Sequence, residues 1–325
     1  MSRTQAAAAG ISRAAIRHAL ESQAWQELLP GVFAAFSGPV TETHRIRAAW
    51  LYGRGRALVT GNVTCRAAGL RYVPAEDGIM LLGPTGFRRK ATGFVRVRRT
   101  TRMPSAQLWT PPASTPHERQ RRTPISLAPT PRAVLDAALC VGLRTAQSIP
   151  RRANGTPLPR PPGVALVYGR ALQDVRALVC EAVQRGKVSP AELVDELEHA
   201  PQQGSMLARR AIADAVAGCR SAPECELRDL VTSSDELPEA RWNLPLPGQP
   251  NVIPDACWPE ARLIVEVDSV QWHRYGDAPE RTEQRRAMLA SLGWTVYPVS
   301  PRRLRTEPTI VLAEIVAAYR AGLAR

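Results

Sequence analysis

The run Ala261-Arg262-Leu263-Ile264-Val265-Glu266-Val267-Asp268 constrains this chain more than any other. Its length and β-branched content predict a strand. Period-two alternation puts Leu263, Val265 and Val267 on one face and Ile264, Glu266 and Asp268 on the other. Two carboxylates about 7 Å apart then share one face of an otherwise apolar strand. Placing them in or near a core is costly unless a cation or a hydrogen-bond network compensates. An edge strand with a solvated acidic face is the alternative.

The flanking residues extend this pattern. Pro254-Asp255 lies eleven residues before Glu266, with the turn signal Trp258-Pro259-Glu260 between them. A hairpin pairing Val252 to Asp255 with Arg262 to Asp268 sets Asp255 beside Glu266. Oxygen-only ligands suit Mg²⁺ or Mn²⁺, which bind through a few carboxylates, water and substrate phosphate. Upstream, Ser221-Ala222-Pro223-Glu224 reads as a capping box and needs no catalytic role. Downstream, Gln271-Trp272-His273 precedes a helix that ends before Gly293 and carries Arg281 and Arg285 one turn apart, where they are expected to hold a DNA backbone. His273 suits a general base, a phosphate contact or a structural hydrogen bond. Trp294 to Val299 reads as a further strand, so the order is helix, strands, helix, strand.

Charge is distributed unevenly along the 325 residues. The total is +14, but residues 221 to 325 contain 12 arginines and 15 acidic residues, a net of −3. Residues 1 to 220 therefore carry +17. Such an excess favours a polyanion, with DNA the natural partner, because neutralised phosphates release condensed counterions. Solubility alone is the alternative role for the charge. Lys90 and Lys187 are the only lysines. The six cysteines never approach a CxxC spacing, which argues against a zinc site or a disulfide framework. No stretch has the apolar length of a membrane span or the pattern of a signal peptide, so a cytoplasmic protein with no membrane partner is expected.

At the N-terminus, Ser2 and Ser12 are predicted caps for two short helices separated by Gly10. The second places Ile16 and Leu20 on its inner face and leaves Arg13, Arg17 and His18 available to solvent or DNA. Trp25 to Val32 suits a short β wing. The whole fits either a winged helix-turn-helix or a helical hairpin that merely packs. Residues 45 to 100 suggest a small domain with strands. Residues 86 to 132 hold eleven basic residues and one acid among many prolines, which reads as a basic connector or edge along a phosphate backbone, or as a solvated loop. Residues 132 to 218 read as mainly helical, with a capping box at Ser189-Pro190-Ala191-Glu192.

The ordered set of Ser221 to Glu224, Pro254-Asp255, Val265-Glu266-Val267-Asp268, His273 and the arginine-rich helix leading to Gly293-Trp294-Thr295-Val296 resembles the very-short-patch-repair-like endonucleases of the PD-(D/E)xK superfamily. The resemblance implies metal ligands at Asp255 and Glu266, an assisting helical acid at Glu224 and a catalytic-site histidine at His273. Asp268 stands where the superfamily has lysine, as acid-x-Asp relatives of this subgroup commonly do. Ser269 replaces a frequent glycine, and the repair enzymes' zinc site has no counterpart. Gln5 to Ser12 with Trp25 to Phe33 is similar to the winged helix-turn-helix of AbiEi-type antitoxins. That similarity implies DNA binding and a toxin or other protein partner.

The expected architecture is thus a multi-domain α/β protein. A winged helix-turn-helix (1–60) and a basic mixed middle region (61–218) precede a restriction-endonuclease-like domain with a central mixed sheet (219–325). The expected activity is Mg²⁺-dependent DNA endonuclease action, and the alternative is a non-catalytic regulator or antitoxin with a degenerate nuclease fold.

Overall fold

The computed structural model describes residues 1–76, 78–112, 123–148, 162–267 and 278–325, with only the backbone of 162–166 and 278–282. Among these residues the protein is mixed α/β, with twelve α-helices and three sheets. They divide into two compact units, Met1–Ile212 and Ala213–Arg325.

The first unit opens with α1 (Arg3–Ala8) and α2 (Arg13–Glu21). Ser2 and Gln5 cap α1 reciprocally, and the Ser12 hydroxyl accepts the Ala15 N–H at 3.1 Å. Gly10 has the left-handed φ of +76° that the intervening turn requires. Antiparallel β1 (Gln26–Leu29) and β2 (Val32–Ala34) follow. Ala6, Ile16 and Phe33 form a small core with Leu20 and Trp25 against it. Leu29 and Val32 belong to a larger core shared with α3 (Glu42–Tyr52) and a five-stranded sheet.

That sheet has the order β5-β4-β3-β7-β6, formed by β3 (Leu58–Thr60), β4 (Ile79–Pro84), β5 (Val95–Thr100), β6 (Gln107–Trp109) and β7 (Ile125–Leu127). The β4–β5 and β3–β7 pairs are parallel and the others antiparallel. Strand β5 lies where residues 45 to 100 were expected to hold strands, but β6 and β7 fall in the segment expected to be a basic connector or loop, with Ile125 and Leu127 buried. Its arginines find internal acceptors: Arg99 donates to the Phe87 carbonyl at 2.8 Å, and Arg102 pairs with Asp195 at 2.5 Å. The short α4 (Asn62–Ala67) and the helices α5 (Thr130–Gln147), α6 (Pro162–Gln184) and α7 (Pro190–Glu198) complete most of the unit, α5 packing against β3 and the other three. Helix α8 (Met206–Val216) leads into the second unit.

The second unit begins with α9 (Ala222–Thr232). Strands β8 (Arg241–Trp242), β9 (Ala256–Trp258), β10 (Leu263–Val267) and β11 (Thr295–Val299) form a mixed sheet of order β11-β10-β9-β8. Strand β10 runs antiparallel to β9 and, across the helix α10 (Ala278–Ser291), parallel to β11. Leu263 and Val265 face a core with Leu227 of α9 and Ile315 of α12 (Pro308–Leu323), which the short α11 (Pro301–Thr306) precedes. Ile264 faces the other layer, with Cys257, Val252 and Leu289 of α10.

Strand β9 begins at Ala256 rather than at Val252, where the hairpin was expected to start. Trp258, expected in the turn, is instead a fully buried strand residue whose indole N–H donates to the Pro238 carbonyl at 2.9 Å. Burying its large apolar ring outweighs the neighbouring turn signal. The reversal uses a 3-10 turn at Pro259–Ala261 and Arg262 in the left-handed region, φ +46°.

Candidate active site

The β9–β10 register pairs Ala256 with Val265, so Asp255 lies one step beyond the ladder, opposite Glu266. Alternation places both on the sheet face of Cys257 and Ile264. One Asp255 carboxylate oxygen accepts the Val267 backbone N–H at 2.7 Å, which ties it to the end of β10. Glu266 is 14% exposed, and Nη2 of Arg285 on α10 sits 2.8 Å from its Oε1. The arginine expected to hold a nucleic-acid backbone here supplies the counter-charge of the acidic strand.

Glu224 occupies the first turn of α9. The Ser221 hydroxyl accepts the Glu224 N–H at 3.3 Å, as the capping expectation requires. The reciprocal bond is not made to Ser221's N–H. The Glu224 carboxylate instead accepts the Arg220 N–H at 2.8 Å, the Ser221 hydroxyl at 3.1 Å and the Asn243 side-chain amide at 3.1 Å. Asn243, which no sequence motif singles out, also donates to the Gly218 carbonyl at 3.2 Å. Its φ of +49° is a conformation asparagine tolerates better than most residues, but nothing local to Trp242-Asn243-Leu244 announces a partner 19 positions earlier.

The electrostatics join these acids. Burial raises the Asp255 carboxyl most, the charge of Glu224 raises it further, and Glu266 adds to the effect. The Val267 N–H and Arg285 oppose the shift, and the result is a carboxyl pushed up to about 7. Burial is the larger cause, and the charges of Glu224 and Glu266 add a smaller repulsion that an added cation would relieve.

Asp268 and His273 lie outside the described residues, as does the side chain of Arg281. Among the described residues no three histidine, cysteine or acidic side chains form a group able to hold a metal. The donor set available is the Asp255 and Glu266 pair. It fits Mg²⁺ or Mn²⁺, which use one or two carboxylates and complete their shells with water and phosphate oxygens. In the first unit, Arg13, Arg17 and His18 are exposed along α2, while Ile16 is buried.

No protein-family model matches the chain. It is 30% identical over 170 residues to each of two uncharacterized proteins of Mycobacterium tuberculosis, MT2308 of strain CDC 1551 / Oshkosh and Rv2248 of strain ATCC 25618 / H37Rv. The match takes in 51% of this chain and 62% of each relative, so the chain spans less than two thirds of their length.

Proposed function

We propose that the protein binds DNA through a winged helix-turn-helix at its N-terminus and hydrolyses phosphodiesters in its C-terminal unit as a metal-dependent endonuclease. The observation that carries this reading is Asp255 set opposite Glu266, its carboxyl pushed up to about 7 by burial first and then by the charges of Glu224 and Glu266. The sequence resemblance to very-short-patch-repair-like endonucleases supports it. Asp255 and Glu266 would hold Mg²⁺ or Mn²⁺, and Glu224 adds negative charge that favours a cation there. When bound, the ion supplies Lewis-acid polarisation of a phosphate and activation of a water. His273 is assigned proton transfer by the resemblance, and Asp268 completes or orients the acidic set. Arg281 is assigned to the phosphate backbone. At the N-terminus, α2 with Arg13, Arg17 and His18 is the element assigned to the major groove, and β1–β2 is the wing.

The test is incubation of purified protein with supercoiled plasmid and Mg²⁺ or Mn²⁺, beside Asp255→Ala and Glu266→Ala. Cleavage lost in both variants is the expected result. Equal cleavage by all three proteins identifies a contaminant and removes the proposal.

Two observations favour a second reading, a non-catalytic DNA-binding regulator, such as an antitoxin with a protein partner. The Arg285 guanidinium already stands beside Glu266, and residues 188 to 325 contain no lysine. An internal cation of this kind stabilises acidic residues without a metal. Calorimetry separates the two: Mn²⁺ binding that disappears in Asp255→Ala supports the nuclease, and no binding by the native chain supports the regulator.

A further inference from the structure

Within the first unit, a cavity of about 600 Å³ lies between the sheet and helix α5. That volume falls in the range of about 300–1,000 Å³ typical of small-molecule sites. Its walls follow from two periodicities. On the sheet side, Met80 of β4 pairs in register with Arg96 of β5, and Leu82 with Arg98, so Arg96 and Arg98 lie two residues apart on one strand face. On the helix side, Cys140, Arg144 and Gln147 recur at the spacing of one helical face, with Leu143 beside them. Glu76, just before β4, closes the group.

The polar groups differ in how far the fold already uses them. Arg98 is 13% exposed and lies 3.6 Å from Asp136, a fully buried acid that also accepts from Thr60 at 2.8 Å and Arg132 at 3.1 Å. Its charge is therefore committed to the floor of the fold. Arg96 donates to the Gly93 carbonyl at 3.0 Å, yet its side chain remains exposed, as does that of Arg144. Glu76 accepts the Cys140 thiol at 3.3 Å, a weak donor for a carboxylate. Burial raises the Glu76 carboxyl above its ordinary range, and the Cys140 thiol, Arg144, Arg66 and Arg96 act against that shift.

The cavity thus combines two accessible guanidiniums, an apolar wall of Met80 and Leu143, and an inner carboxylate whose one hydrogen-bond donor among the described residues is a thiol. Guanidinium matches phosphate geometry, an apolar wall accepts a flat ring, and a carboxylate seeks N–H donors. We propose that this cavity binds a nucleoside phosphate, with Arg96 and Arg144 on the phosphate, the base against Met80 and Leu143, and base N–H groups donated to Glu76. The site is separate from the acidic cluster of the second unit, and its occupancy does not depend on nuclease activity there.

Calorimetric titration of the full chain with AMP, GMP, CMP and UMP, beside inorganic phosphate, tests the assignment. At least one nucleotide binds with Kd below about 1 mM and at least about tenfold more tightly than inorganic phosphate. Arg144→Ala and Arg96→Ala, both at exposed side chains, each weaken every nucleotide by roughly tenfold, the loss expected of one charge-assisted contact. Glu76→Ala reduces the preference among bases. Melting curves matching the native chain establish that the variants fold. The proposal is overturned if no nucleotide binds, if inorganic phosphate binds as tightly, or if folded Arg144→Ala and Arg96→Ala both retain native affinity.

Discussion

The side chain of Asp255 accepts the backbone N–H of Val267 at 2.7 Å, so the carboxylate before β9 is anchored to the last residue of β10. This bond holds Asp255 next to Glu266 despite the repulsion between them. Its energy and the raised Asp255 carboxyl are two sides of one balance: the N–H favours the charged form, while burial, Glu224 and Glu266 disfavour it more strongly.

A pH dependence follows. The Asp255 carboxyl moves from an ordinary 3.8 to about 7 on folding, so the folded chain holds this proton where the unfolded chain has lost it. The stabilising contribution is complete below about pH 4 and is lost as pH rises through 7. Asp255→Asn keeps an acceptor for Val267 without the charge. It is expected to exceed the native chain in stability by about 1–3 kcal/mol at pH 8, with the difference closing toward pH 4. Denaturant melts across that range provide the measurement; a pH-independent difference contradicts the expectation.

Removing Arg285 leaves Glu266, only 14% exposed, without its paired cation. Arg285→Ala is expected to cost about 1–3 kcal/mol, the ordinary penalty for stranding a partly buried charged group. Millimolar Mn²⁺ is expected to recover part of that loss if the carboxylate pair accepts a divalent ion. Thermal melts with and without Mn²⁺ check both statements, and a variant as stable as the native chain removes the first.

For the first unit, Arg13→Ala combined with Arg17→Ala removes two exposed charges from α2 while leaving the buried Ile16 in place. The double variant is expected to weaken duplex binding and to reduce the salt slope of log K by about 2, since each phosphate left without its arginine lowers the slope by about 0.9. Fluorescence anisotropy at several salt concentrations measures the slope. An unchanged slope places DNA binding elsewhere.

Asp136 is fully buried and joins Thr60, Arg98 and Arg132, the last itself 6% exposed. Asp136→Ala strands Arg98, leaves Arg132 only its ion pair with Glu196 at 3.5 Å, and is expected to destabilise the first unit by about 3–5 kcal/mol. Thr60→Val removes one neutral donor and is expected to cost about 1–2 kcal/mol. Chemical denaturation gives the ratio, and equal losses from the two substitutions contradict a charge-stranding origin.

Several features were legible because their causes are local. The Ser2, Ser12 and Ser189 caps are read from side chains that bond backbone N–H groups three residues on. The alternation of Leu263 to Glu266 is read from the period of an extended chain, and it correctly separates Val265 from Ile264 into opposite layers. No membrane span is legible in the sequence, and among the described residues no helix is long and apolar enough to be one.

The basic, proline-containing segment after Gly86 illustrates the opposite case. Its charge density argued against burial, yet it supplies β6 and β7 beyond the expected strands, and Arg98, Arg99 and Arg102 find acceptors far away in the chain or across a turn. Those partners cannot be identified from spacing.

By itself, the sequence determined the acidic strand, its flanking Asp255, the capped helices and the asymmetry of charge, since each rests on backbone geometry or composition. Only the tertiary structure decided that Glu224 is held by Arg220 and Asn243, that Arg285 turns to Glu266, and that burial with neighbouring charge raises Asp255. The physical reason is distance: hydrogen bonds and Coulomb interactions act through a few ångströms of space, whatever the number of residues between the partners.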